Sequence, residues 1–511
     1  MMYLLCILFF SLRLAAGDQT IALAGNTGVP AMHAALLLDG SVMFLDKIEN
    51  RSKLFLPNGG KAYSSIYDPE SRSVTGLGVT TNPFCCGGSF LADGRLISLG
   101  GNGPLYHDDS SVGDGFDGIR YLVAYGDQTK WSEPGNKLAS KRYLTGLDQY
   151  NPVNNNPTYE ILDRHGISSG DNIDMEILIN NQPYFMYPFV HLLRDGTIFV
   201  FVSKSSQTFD VAMNKVVKEM PTLPGMYRTY PNTGGSVMLA LSSSRKWEPE
   251  IMICGGGAFQ AQDSPCDHTC GRIKPLGDAQ WTITEMPQPR GMVEGINLLD
   301  GTILWLNGAQ VGAQGFGIAD SPAYDLLIYK PEADEWMVAA TSNIPRLYHS
   351  VALMLLDGRI LIARSNPNEM PVWQDETDPD DLFRKYPTEM RIEIFTPPYL
   401  QGERAKLRPT DVELSARYVS PGDTFSVEFS LPKKMEVESV EVALYQGGFV
   451  THALHMGQQL YILETAWESK DRKIIAKARV PEIKMAPGPY FVYALANGVP
   501  SIGKALSLRR N

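Results

Sequence analysis

Tyr348 and His349 set a phenol beside an imidazole within Arg346-Leu347-Tyr348-His349-Ser350, and a second imidazole recurs in a similar polar frame at Thr451-His452-Ala453-Leu454-His455. One phenol and two imidazoles are nitrogen and oxygen donors of the kind Cu(II) takes in a tetragonal set. A mononuclear copper oxidase is therefore the first expectation. As ordinary strand residues Tyr348 and His349 would point to opposite faces. Pro345 and Arg346 place them at a strand entry instead, and His452 supplies a further donor, which favours ligands over packing. His455 is expected at the surface or supporting a ligand, and His33, His107, His165, His191 and His268 are read as structural.

The elements that must hold such a site are short strands. A phrase of apolar residue, Asp-Gly, variable residue and apolar strand recurs at Leu38-Asp39-Gly40-Ser41-Val42, Ala92-Asp93-Gly94-Arg95-Leu96, Arg194-Asp195-Gly196-Thr197-Ile198, Leu299-Asp300-Gly301-Thr302-Ile303 and Leu356-Asp357-Gly358-Arg359-Ile360. A degenerate copy at Pro249-Glu250-Ile251 runs into Gly255-Gly256-Gly257. Asp-Gly between apolar strands is a hairpin signal, and its recurrence points to stacked antiparallel units. Tyr67-Asp68-Pro69-Glu70 and Tyr329-Lys330-Pro331-Glu332 read as equivalent strand ends in two such units, so a kelch-type propeller with four strands per blade is expected. After Phe395-Thr396-Pro397-Pro398-Tyr399-Leu400 the phrase stops, and Pro421-Gly422-Asp423, Gly447-Gly448 and Pro487-Gly488-Pro489 punctuate alternating strands that suit a small sandwich.

The chain has 511 residues, 47 Gly and 34 Pro, with 44% hydrophobic and 20% charged residues. That length exceeds what one core supports, and the turn-rich composition favours strands. A net charge of −11 without a basic cluster argues against nucleic acid as a partner. Residues 1–17 carry an apolar run from Tyr3 to Phe10 followed by Ala15-Ala16-Gly17, a secretory leader by pattern, and no other segment has membrane-spanning length. Asn50-Arg51-Ser52 is a glycosylation acceptor sequence. Without Cys6 of the leader, Cys85, Cys86, Cys254, Cys266 and Cys270 remain, an odd number that leaves a free or otherwise engaged thiol in an oxidising compartment. Cys266 and Cys270 could pair with each other or with Cys254, and Cys85 or Cys86 could belong to a disulfide.

The phrases Asn82-Pro83-Phe84-Cys85-Cys86-Gly87-Gly88-Ser89-Phe90, Ser140-Lys141-Arg142-Tyr143, Asn156-Pro157-Thr158-Tyr159-Glu160, Pro345-Arg346-Leu347-Tyr348-His349-Ser350 and Thr451-His452-Ala453-Leu454-His455-Met456-Gly457-Gln458 resemble the copper radical oxidases, their glyoxal oxidase branch more than galactose oxidase. The resemblance implies an all-β fold. It consists of a seven-bladed kelch propeller over residues 18–398, one blade shortened, and an immunoglobulin-like sandwich over 399–511 that sends one histidine into the site. It also implies one copper ion held by Tyr143, Tyr348, His349 and His452, and a thioether between Cys85 and the redox-active Tyr143. The segment from Arg142 to Asn156 is shorter than the family's and lacks its tryptophan and an inner strand.

Oxidising an aldehyde hydrate removes two electrons, whereas Cu(II) accepts one, so a second one-electron store must stand beside the metal. A thioether-substituted tyrosyl radical would supply it. The implied activity is oxidation of small aldehydes or α-hydroxycarbonyls by O2 to carboxylic acids and hydrogen peroxide, in a secreted monomer whose peroxide could feed extracellular peroxidases. The shortened segment also suits a catalytically impaired propeller serving as a binding or cell-wall module. An alcohol or sugar oxidase with the same cofactor is a third possibility.

Overall fold

The computed structural model describes residues 20–49, 51–123, 129–141, 155–432, 436–470 and 472–509. The leader, the Asn50 acceptor and Tyr143 therefore lie outside the described residues. The fold is all-β, with helix confined to short turns such as Glu176–Asn180.

The Asp-Gly phrases do what local chemistry demands of them. The Asp39 carboxylate accepts the Ser41 amide at 3.0 Å, and the same contact recurs at Asp93, Asp195, Asp300 and Asp357. Each following glycine adopts a left-handed backbone, with φ of 88° at Gly40 and 79° at Gly358. The turns join antiparallel strands into four-stranded units. Five are separate sheets, such as Gly87–Phe90, Leu96–Leu99, Ile119–Val123 and Lys130–Ser132. The sixth, His33–Leu36, Val42–Leu45, Ser64–Tyr67 and Val74–Leu77, is part of a larger sheet. Between the units that begin at Gly87 and at Phe189, the described residues form a two-stranded pair, Thr158–Tyr159 with Ile173–Asp174. This is where the sequence is short.

Two long-range pairings tie the chain together. The strand Ile21–Asn26 pairs with Glu389–Phe395 and so completes the unit that contains Val351–Met354. The hairpin of Phe449–Thr451 and Leu454–Met456, from the C-terminal region, adds to the edge of His33–Leu36, with His33 opposite Thr451 and Ala34 opposite Val450. The rest of that region packs a four-stranded sheet on a larger one around Phe425, Val427, Val442, Ile474 and Val492.

Strands such as Val351–Met354 and Ile303–Leu306 are apolar and buried throughout. Five arginines, Arg120, Arg228, Arg290, Arg346 and Arg364, are also fully buried. They donate to backbone carbonyls near the inner ends of neighbouring strands, Arg120 to Gly100 at 2.7 Å and Arg290 to Asp325 at 2.7 Å. A guanidinium with five fixed donors can saturate several carbonyls at once, which is why arginine serves where the strands end.

Candidate metal centre

Three segments bring donors together. Arg346 anchors the first: its guanidinium donates to Glu393 at 2.7 Å and to the Arg391 carbonyl at 3.1 Å, while Ser365 accepts the Leu347 amide at 3.0 Å. The chain then turns, with Ser350 donating to the Leu347 carbonyl and His349 at a φ of 65°, before Val351–Met354 begins. Because of that turn the Tyr348 and His349 rings stack at 3.6 Å and do not point apart. His452 and Ala453, with φ of 51° and 65°, are the central residues of the C-terminal hairpin, as a two-residue turn between twisted strands requires. Cys85, with φ of 58°, precedes Gly87–Phe90. Left-handed non-glycine backbone costs about 1–2 kcal/mol per residue, and such residues gather at functional sites.

Cys85 Sγ and one nitrogen each of His349 and His452 lie within 4.8 Å of one another, all buried. Cys85 Sγ is 3.4 Å and Tyr348 Oη 3.5 Å from His452 Nε2. His349 Nδ1 stands 3.0 Å from the Asn366 carbonyl, which can only accept, so Nδ1 carries the proton and Nε2 keeps its lone pair. That Nε2 is buried without a hydrogen-bond partner among the described residues. A buried acceptor is rarely left unmet, and here it converges with a second imidazole and a phenol, a donor set that fits copper. Burial, reinforced by the neighbouring His452, holds His349 well below the usual imidazole range, and burial brings His452 down to about 3. Both are neutral at ordinary pH, the form that binds a metal.

Tyr187 stacks on the His452 ring at 4.2 Å and donates to the Cys85 carbonyl at 2.5 Å. On the other side Phe84 and Phe316 stack at 6.1 Å, both set edge-on to His349, with Lys47 Nζ 4.9 Å above Phe316. A largely apolar cavity of about 810 Å³ opens beside Cys85 and Tyr187, walled by Phe116, Phe185 and Phe209 and bordered by Lys141.

Of the residues singled out by sequence, Cys85, Tyr348, His349 and His452 come together, and Tyr143 lies outside the described residues. Cys85 and Cys86 are free, and Cys254 pairs with Cys270, leaving Cys266 free and buried. His455 is not at the surface: its Nε2 stands 3.3 Å from the buried Glu294, off hydrogen-bond alignment. Glu294 accepts the Ala352 amide at 2.9 Å and so links the two histidine segments. His33 is no bystander, as it sits against Thr451, next to His452. Tyr187 was missed by sequence reasoning although a signal existed. Cys85, Tyr187, Met292 and His349 each stand two residues before an inner strand, and each has a positive φ. Counting two back from the start of Gly87–Phe90, Phe189–Leu192, Glu294–Asn297 and Val351–Met354 finds them.

The family described as "Glyoxal oxidase N-terminus" matches residues 32–399, and "Galactose oxidase-like, Early set domain" matches 408–508. An "Aldehyde oxidase GLOX" of Vitis pseudoreticulata is 32% identical over 94% of this chain and 95% of its own length. "Aldehyde oxidase GLOX1" of Arabidopsis thaliana is 30% identical over 94% of this chain and 83% of its own. A solved fungal alcohol oxidase of the AA5 family, in complex with copper, superposes with a TM-score of 0.61 over 97% of this chain and 100% of that one at 16% identity, a likeness of fold.

Proposed function

Since the chain belongs to the glyoxal oxidase branch of the copper radical oxidases, we propose that it oxidises small aldehydes, through their hydrates, or α-hydroxycarbonyls, outside the cell. The hydrate RCH(OH)2 gives up two electrons and two protons to become RCOOH, and O2 takes them up as H2O2. The observation that carries the reading is the convergence of Cys85 Sγ, His349 and His452 within 4.8 Å, with Tyr348 Oη beside His452.

Tyr348 Oη, His349 Nε2 and His452 Nε2 would hold the copper ion, with Tyr143, thioether-linked to Cys85, as the fourth donor and radical site. When bound, copper accepts one electron and the linked tyrosyl radical the other. The chain's own residues do the rest. Burial of Tyr348, Cys85 and both imidazoles excludes water from the donors. Tyr348 is positioned to receive the substrate's proton, while Tyr187 covers one face of His452 and keeps Cys85 in place through its carbonyl.

The six four-stranded units and the two-stranded pair support a seven-bladed propeller over residues 18–398 with one blade shortened, followed by an immunoglobulin-like sandwich over 399–511. The Cys254–Cys270 disulfide supports an oxidising compartment, hence secretion.

Copper-loaded protein is expected to release peroxide with a small dialdehyde, and His452→Ala and Tyr348→Phe to lose it; unchanged copper content and turnover in both variants would sink the reading. The two-stranded pair favours a second reading, an impaired propeller acting as a binding module. Peptide mass spectrometry separates the two. A mass two hydrogens short, joining the Cys85 and Tyr143 peptides, supports the oxidase, and a free Cys85 after copper loading supports the module.

A further inference from the structure

We propose that His33 and Thr451 form a relay that sets the tautomer of His452, presenting its Nε2 lone pair to the metal; the inference rests on His452 being a copper ligand. Thr451 Oγ1 lies 2.8 Å from His33 Nδ1 and 2.6 Å from His452 Nδ1. At the far side of its ring His33 Nε2 is 3.3 Å from the Pro83 carbonyl.

The donor logic runs in one direction. A carbonyl can only accept, so the proton of the Pro83 contact sits on His33 Nε2, and Nδ1 of that neutral ring must accept. Thr451 therefore donates its hydroxyl proton to His33 Nδ1. The remaining lone pairs of its oxygen then accept from His452 Nδ1–H. With Nδ1 protonated, His452 Nε2 is the bare nitrogen, and it is the atom that faces Cys85 Sγ and Tyr348 Oη. Cys86 Sγ, 3.5 Å from His33 Nε2, takes the Ser98 hydroxyl at 3.1 Å and leaves this direction intact by accepting weakly from the same N–H.

The arrangement is built by register. Phe449–Thr451 pairs with His33–Leu36 so that His33 stands directly opposite Thr451, and opposed residues of an antiparallel pair project to one face. Phe449 packs on the His33 ring at 5.4 Å and fixes its plane. All of His33, Thr451 and His452 are fully buried, so no solvent donor competes. His33 and Thr451 are thus positioning residues, outside the reach of substrate.

The test uses full-length protein and two readouts. In metal-free protein labelled with 15N-histidine, His452 Nε2 is expected to show the shift of an unprotonated nitrogen, and Thr451→Val to mix the two tautomers. In copper(II) competition titrations Thr451→Val and His33→Phe should each weaken binding about 10–100-fold, the range for residues that orient a ligand histidine. Thr451→Ser and His33→Asn, which keep the hydroxyl and an acceptor, should stay near wild type. The double variant Thr451→Val/His33→Phe should bind no more weakly than Thr451→Val alone, because His33 acts through Thr451. Equal affinity and an unchanged His452 spectrum in Thr451→Val would overturn the relay. A wild-type protein that takes up no copper would instead overturn the metal reading, while the nitrogen spectrum would still decide the tautomer.

Discussion

The residues of the centre are held in conformations their side chains do not favour. His349, His452, Ala453, Tyr187 and Cys85 all have positive φ, and the imidazoles are buried neutral. Burial leads the causes that depress His33, His349 and His452. The sign of the resulting pH dependence follows. Below the ordinary imidazole value near 6.5 the unfolded chain takes up protons that the folded chain refuses, so stability falls as pH drops from about 6.5 toward 3. Metal-free protein is expected to lose up to about 1.4 kcal/mol per pH unit for each of these three histidines as pH falls below about 6.5, with only His452 assigned a lower limit, near 3. Urea unfolding at pH 7, 6 and 5 would measure it, and a flat profile would refute their neutral burial. Tyr348 and His349 are legible in sequence because phenol and imidazole stand side by side at a strand entry, and His452 because a second histidine recurs in a similar polar frame. His33 is not, since it looks like an ordinary strand-end residue until a distant segment is laid against it, and Tyr187 carries only the positional signal of standing two residues before a strand.

At the scale of elements, the hairpin that carries His452 fits against two glycines of the Cys85 segment. A Cβ on Gly88 would stand 2.5 Å from the Phe449 ring and 2.7 Å from the Ile97 carbonyl. Gly88→Ala should displace the hairpin, cost about 1–3 kcal/mol as overpacking does, and weaken copper binding in parallel. Unchanged copper affinity would show the hairpin to be independent of that contact. The turn bearing Tyr348 and His349 depends on the Arg346–Glu393 pair, whose members are 2% and 4% exposed. Arg346→Met leaves the Glu393 carboxylate buried without its partner, and a loss of about 3–5 kcal/mol is expected in denaturant unfolding. A loss below about 1 kcal/mol, the range of surface pairs, would contradict the assignment. The Asp-Gly hairpins are legible because every contact that forms them lies within a few residues. The pairing of His33 with Thr451 spans 418 positions and leaves no local trace.

For the whole molecule, the strand Ile21–Asn26 closes the same four-stranded unit that begins just after His349. Ala24, 5% exposed, belongs to the largest core. Ala24→Asp should therefore lower the melting temperature and release copper in the same transition. Metal loss and strand melting at well-separated temperatures would show the first strand to be uncoupled from the centre. The change of pattern after Pro398 surfaces in the architecture as a packed pair of sheets, and among the described residues a two-stranded pair stands where the neighbouring units have four strands. Repetition makes such departures readable, whereas the buried arginines, each in a differently worded phrase, escape it.

The His33 edge has a further consequence, one of timing. Cys85, Tyr348 and His349 precede His452 by at least a hundred positions in the chain, and the edge of His33–Leu36 has no partner until Phe449–Thr451 is made. The donors therefore assemble only when that hairpin docks: a chain that has made Cys85, Tyr348 and His349 but not Phe449–Thr451 lacks the second imidazole of the cluster.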